Sequence, residues 1–189
     1  MHAANSKKRL RSFIAFTLPS DIITLCTDLK NNLIKNNVQA KWTKKENLHI
    51  TIKFLGNEQE KNLLEYTDIL STCNLDLSLI KFKTDIIRTF SQRSKILFLN
   101  ITDNQYTAQK NVKTILEKIE HNESDNNWVP HITIGRFRNN KEKNSFLKRD
   151  TIQAENLLFK PESISIFTST LTNSGPIYKH FSKIAQIHE

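Results

Sequence analysis

Leu48-His49-Ile50-Thr51-Ile52-Lys53-Phe54 and Pro130-His131-Ile132-Thr133-Ile134-Gly135-Arg136-Phe137 share one pattern. Each is short, rich in β-branched and aromatic residues, and alternates polar with apolar, which predicts a half-buried β-strand. Side chains at i and i+2 of a strand share a face. Each His therefore stands beside its Thr, while Ile50, Ile52, Ile132 and Ile134 turn toward a core. A lone His on such a strand is ordinarily a packing or surface residue. The same His-x-Thr tripeptide in both halves of the chain points instead to a duplicated unit. Such a unit would bring two imidazoles and two hydroxyls to one groove.

Outward from these strands the rest of the chain reads as interleaved elements. Arg11 to Leu18 is predicted as a strand, and Pro19-Ser20-Asp21 offers helix-start chemistry. A helix follows on Ile22, Ile23, Leu25, Leu29, Leu33 and Ile34, ending near Asn36-Asn37. Val38 to Thr43 reads as extended, and Gly56-Asn57 reads as the end of the first His strand. A second helix carries Leu63, Leu64, Tyr66, Ile69 and Leu70. Leu75 to Phe82 alternates like a strand, and further strands are expected near 85–89 and 95–102. A third helix carries Tyr106, Val112, Ile115, Leu116 and Ile119. The stretch 121–127 reads as a polar loop, and a short helix is expected around Phe146-Leu147. The chain closes with strand-like runs at 155–159, 163–170 and 178–187, with Asn173-Ser174-Gly175-Pro176 as a turn. The pattern predicts an α+β or α/β domain of two similar lobes.

The chain has 189 residues, enough for one real core or two small lobes sharing it. No apolar run approaches the roughly 20 residues of a membrane span. The basic N-terminus lacks the long apolar run of a secretory signal, so a cytoplasmic protein is expected. Residues 1–10 are expected to be a solvated basic arm, and 11–189 a single bilobal domain. Cys26 and Cys73 are the only cysteines, too few for a disulfide scaffold or a cysteine zinc site. Lys and Arg number 28 against 19 acids, a balance that favours a polyanionic partner.

Imidazole titrates near neutrality, so one of a pair can accept a proton while the other gives one. Thr51 and Thr133 can donate hydrogen bonds to phosphoryl oxygens, and Arg136 supplies a forked cation suited to phosphate. These parts describe metal-free attack on a phosphodiester. Strict alternation puts Arg136 on the Ile134 face, away from His131, so it must reach the groove through a strand end or a bulge. Gly135 offers a place for one. A zinc site is disfavoured: no Asp or Glu lies within two residues of either His. With only three glycines, Gly56, Gly135 and Gly175, no glycine-rich phosphate loop can be built. His2 and His188 are terminal, His121 falls in the polar loop, and His180 reads as surface. Trp42, Phe90 and Trp128 read as core or edge residues, with one of them a candidate to stack on a base.

The two motifs in this order resemble the paired signatures of the 2H phosphoesterases, and most closely the RNA 2′,3′-cyclic phosphodiesterase (2′-5′ RNA ligase, LigT-like) family. Arg11-Ser12-Phe13-Ile14-Ala15-Phe16 resembles that family's opening strand. Ile166-Phe167-Thr168-Ser169-Thr170-Leu171 with Gly175-Pro176-Ile177-Tyr178 resembles its closing hairpin. Gly135 stands where a small apolar residue is common. The resemblance implies an α+β, bilobal, duplicated unit. In it two antiparallel sheets flanked by helices surround a central groove with pseudo-two-fold symmetry. It implies hydrolysis of an RNA 2′,3′-cyclic phosphate end to a 2′-phosphate, and it admits reverse 2′-5′ ligation. By the same resemblance His49 is the proton donor and His131 the proton acceptor. Thr51, Thr133 and Arg136 bind the substrate phosphate, with no metal and no cofactor. The expected partner is RNA ending in a 2′,3′-cyclic phosphate, tRNA fragments included, met by a monomer away from membranes. Two competing readings share the motifs: a phosphodiesterase for a small cyclic nucleotide, and a non-catalytic nucleotide- or RNA-binding module.

Overall fold

Both motif strands bury their isoleucines completely or nearly so, and the rest of the architecture follows from covering that face. In the computed structural model, residues 8–73, 75, 77–90, 94–103, 106–119, 128–148 and 152–186 are described. The elements in order are β1 (Arg9–Phe16), α1 (Ser20–Lys35), β2 (Lys41–Trp42), β3 (Ile50–Gln59), α2 (Glu60–Ser71), β4 (Phe82–Thr89) and β5 (Ile96–Asp103). They continue with α3 (Thr107–Ile119), β6 (His131–Arg136), α4 (Asn140–Leu147), β7 (Leu158–Phe159), β8 (Ser163–Thr172) and β9 (Gly175–Gln186). Among the described residues the strands are ordered β7-β4-β5-β6-β3-β1-β8-β9, with β2 beside β6. All their pairings are antiparallel.

The two expected sheets, β9-β8-β1-β3 and β6-β5-β4-β7, are the two halves of one continuous nine-stranded sheet. They join through one register pair, Ile50 with Ile132. That pair is the pseudo-two-fold axis of the molecule. Ile50 and Ile132 are fully buried, and with Ile14, Phe16, Leu99 and Ile101 they belong to the main core. The buried positions of α1, α2, α3 and α4 (Ile22 and Leu33, Leu63 and Leu70, Ile115, Phe146) pack into the same core. β1 is buried on both faces. Its Phe13 and Ala15 form a second, smaller cluster with Phe167 on the groove side.

Local chemistry explains most element ends. α1 closes at Asn37, whose φ of +56° is left-handed, and the Val38 amide donates back to the Leu33 carbonyl at 2.9 Å. α4 opens on Asn139, whose side chain accepts from the Glu142 amide at 2.9 Å.

Several expectations differ in extent. β1 begins at Arg9, inside the stretch read as an arm, and pairs Arg9 with Gln59. β3 continues through Gly56 to Gln59; Gly56 takes φ +82° within the strand rather than ending it. The strand expected from Leu75 begins only at Phe82: before it a 3₁₀ turn at Leu77–Leu79 leaves Leu79 exposed while Leu77 and Ile80 are buried. The alternating leucines there carried no information about pairing, which tertiary contacts decide. The run at 155–159 contributes only Leu158–Phe159, and 38–43 only Lys41–Trp42. Residues 1–7 of the arm, His2, His188 and the 121–127 loop with His121 lie outside the described residues. No described helix is long and apolar enough to cross a membrane.

Candidate active site

The antiparallel Ile50–Ile132 pair carries the register one residue further on each side. Thr133 then lies across from His49, and Thr51 across from His131. His49 and His131 become diagonal neighbours, roughly 7–8 Å apart at the backbone. All four side chains point away from the isoleucine face, as the alternation predicted.

The two imidazoles are anchored in the same way. His49 Nδ1 donates to the Asn47 carbonyl at 2.7 Å, and His131 Nδ1 donates to the Val129 carbonyl at 2.9 Å. A carbonyl only accepts, so each Nδ1 carries a hydrogen, and Nε2 is the nitrogen left to exchange a proton. His49 Nε2 meets Thr51 Oγ1 at 3.0 Å. Each ring also rests on two aromatic side chains. Phe13 and Tyr178 lie 4.9 and 5.5 Å from His49, and Phe90 and Phe98 lie 4.7 and 5.3 Å from His131.

Burial among these rings disfavours the imidazolium. It pushes His49 down to about 4, helped by the nearby His131 and opposed by the Asn47 carbonyl. Burial also lowers His131, against the Val129 carbonyl. Both shifts favour the neutral ring in the empty groove.

Arg136 reaches the groove through a bulge. Phe98 pairs with Thr133 but Leu97 with Gly135, so Ile134 is one extra residue in β6. Ile134 and Gly135 both face the core, and Arg136, opposite Ile96, is returned to the groove face. Gly135 fits closely there: an added Cβ would lie 3.1 Å from the Trp42 ring and 3.2 Å from the Lys41 carbonyl. The first motif repeats this device. Thr51 pairs with Ala15 but Lys53 with Ile14, so Ile52 is extra and Phe54 turns onto the groove face. Phe54, 67% exposed, is the pseudo-symmetric counterpart of Arg136. Arg136 and Arg11 both lie near the Tyr178 hydroxyl, whose pKa burial raises and these guanidiniums draw back.

Three supports were not legible beforehand. The Trp128 indole N–H donates to the Thr51 carbonyl at 2.8 Å, tying the entry of one motif to the strand of the other. Buried Asn47 holds His49 with its carbonyl, and its side-chain amide donates to the Pro176 carbonyl at 2.8 Å. That second bond brings the β8–β9 turn over the site. No sequence signal marks Asn47 apart from other polar loop residues. Trp42 and Trp128 pack on the core, as expected of them, whereas Phe90 is partly exposed beside His131. His180 is exposed, yet it rests 4.4 Å from Phe167 and lines a cavity beside His49.

The fold and groove define a bilobal α+β protein with two like-anchored histidines at a pseudo-two-fold axis. Comparison with known proteins agrees. Residues 20–169 match the model of the 2′-5′ RNA ligase superfamily. The RNA 2′,3′-cyclic phosphodiesterase of Methanocaldococcus jannaschii is 33% identical over 180 residues, covering 90% of this chain and 97% of that protein. The protein of the same name from Thermotoga maritima is 26% identical over 174 residues, 90% and 92% of the two chains. Among solved structures, E. coli LigT complexed with ATP superposes with a TM-score of 0.76 at 15% identity, over 96% of this chain and all of that one. E. coli LigT complexed with 3′-AMP gives 0.75 at 15% identity, over 96% and 99%. The chain belongs to the 2′-5′ RNA ligase superfamily.

Proposed function

We propose that this protein hydrolyses RNA 2′,3′-cyclic phosphate ends to 2′-phosphates by metal-independent two-histidine catalysis. The observation that carries the reading is the pair of imidazoles, each fixed through Nδ1 to a backbone carbonyl two residues upstream and each presenting Nε2 to one groove. Binding alone needs no such pair. The names of the Methanocaldococcus and Thermotoga relatives support the substrate class.

His131 Nε2 takes a proton from water as the oxygen attacks phosphorus. The P–O3′ bond breaks, and His49 Nε2 delivers a proton to O3′. Thr51, Thr133 and Arg136 hold the non-bridging oxygens as charge builds on them. The donor needs a proton that the empty groove does not retain, and the phosphodiester anion supplies the attraction that brings it in. A 5′-hydroxyl in place of that water would yield a 2′-5′ linkage by the same steps. From β1 onward the chain acts as one bilobal domain, and both motifs come from one chain, so a monomer completes the groove.

The test is incubation of the full chain with an oligoribonucleotide ending in a 2′,3′-cyclic phosphate, with 2′- and 3′-phosphate products separated. The expected product is the 2′-phosphate, formed by the unaltered protein and not by His49→Ala or His131→Ala. A 3′-phosphate product, or binding without turnover, overturns the reading.

A further inference from the structure

Beyond the two histidines the groove is not symmetric. A cavity of about 860 Å³ opens beside His49, and His131 is not among its lining residues. Its volume is within the range of sites that bury a whole ligand. Tyr178 and His180 form its aromatic wall, backed by the buried rings of Phe13 and Phe167, with the exposed His180 ring against Phe167. Lys45, Lys160 and Lys183 also line it, from three separate segments of the chain. Glu46 and Glu162 are there too, but neither Lys45 nor Lys160 is in an ion pair among the described residues. Lys183 donates to the Gln186 side-chain oxygen at 2.8 Å, a neutral partner, so the lysine charges remain available to a ligand.

We propose that this cavity seats the RNA strand on the 5′ side of the cyclic phosphate, with Lys45, Lys160 and Lys183 contacting its backbone phosphates. The inference rests on the reaction proposed above and adds a polarity to it. In-line displacement sets the attacking water and the leaving O3′ on opposite sides of phosphorus. If His49 protonates O3′, the ribose that carries O3′ lies on the His49 side, and the rest of the strand follows it there. For hydrolysis the water side, at His131, needs no comparable room. An aromatic wall suits unpaired bases of any identity, and a lysine rim suits a strand read by charge. A mononucleotide would fill only the part next to His49.

The experiment compares kcat/KM on a 2′,3′-cyclic-phosphate-ended oligoribonucleotide with kcat/KM on a 2′,3′-cyclic mononucleotide, for the full chain and for Lys160→Ala/Lys183→Ala. The expected result is a fall of about tenfold in the oligomer-to-mononucleotide ratio. The log–log salt dependence of the oligomer should become shallower by about 1.4, at roughly 0.7 per lost single-strand phosphate contact. Arg138→Ala, just beyond the end of β6 in the second motif's lobe, should leave the ratio where it is. An unchanged ratio in the double lysine variant overturns the inference, as does an equal fall in Arg138→Ala. Failure of the underlying reaction looks different: the unaltered protein would then turn over neither substrate.

Discussion

Placing an anion in the groove should restore the proton on His49, and the size of the effect follows from its surroundings. Burial against Phe13 and Tyr178 holds this imidazole at about 4 in the empty groove. Only roughly one molecule in a thousand then carries the proton at pH 7. Returning His49 to the ordinary value near 6.5 takes about 3 kcal/mol of added attraction, at about 1.4 kcal/mol per tenfold. Opposite unit charges about 4 Å apart attract by about 4 kcal/mol at an effective dielectric of 20. One phosphodiester charge is therefore sufficient.

Histidine titration by NMR, with and without saturating sulfate, checks this directly, because sulfate keeps its charge across the range. His49 should titrate near 4 alone and near 6–7 with the anion. The pH optimum of kcat/KM, which reports the free protein, should lie below that of kcat, which reports the complex. Stability should follow the same groups. Between pH 6.5 and 4 the unfolded His49 binds a proton that the folded one refuses, so stability rises with pH across that window, and sulfate should flatten the rise. A His49 that titrates near 6.5 in the empty groove, or one that saturating sulfate leaves unmoved, would refute the argument.

Replacing His49 or His131 with Ala should lower kcat by roughly 10²-fold or more while KM changes far less, as steady-state kinetics would show. Near-normal kcat in either variant would remove that residue from the reaction. Turnover should be unaffected by EDTA, since in the proposed reaction the histidines and Arg136 supply the proton transfers and charge that a metal would otherwise provide; loss on chelation with rescue by zinc or manganese would contradict this. Trp128→Phe keeps a ring near Phe16 and Phe82 but leaves the Thr51 carbonyl without its 2.8 Å donor. It should cost about 1–3 kcal/mol in denaturant unfolding. Gly135→Ala forces a methyl against the Trp42 ring and the Lys41 carbonyl and should destabilise by about 1–3 kcal/mol, with unchanged unfolding midpoints counting against the bulge as described.

The two His-x-Thr strands were legible because period-two alternation is a local property, written in consecutive residues. The same alternation showed that Arg136 could not reach His131 on a regular strand, so the need for a bulge near Gly135 was visible too. Its position was not. The extra residue is Ile134, and its copy in the first motif is Ile52, which only the pairing registers with β5 and β1 reveal. Leu75–Phe82 alternates as convincingly as the motif strands, yet Leu79 is exposed in a 3₁₀ turn, with no strand paired to it among the described residues.

By itself, then, the sequence determined which side chains are the candidates for chemistry, which face they share, and that there are two such units. Tertiary structure alone decided how the units meet, at Ile50 and Ile132, and what holds each imidazole. The Asn47 carbonyl and its bond to Pro176, the Trp128 bridge to Thr51, and the cavity beside His49 all join segments far apart in the chain or depend on backbone atoms. Every residue offers the same carbonyl and amide, so nothing in a residue's identity says which of them a folded chain will bring to a histidine.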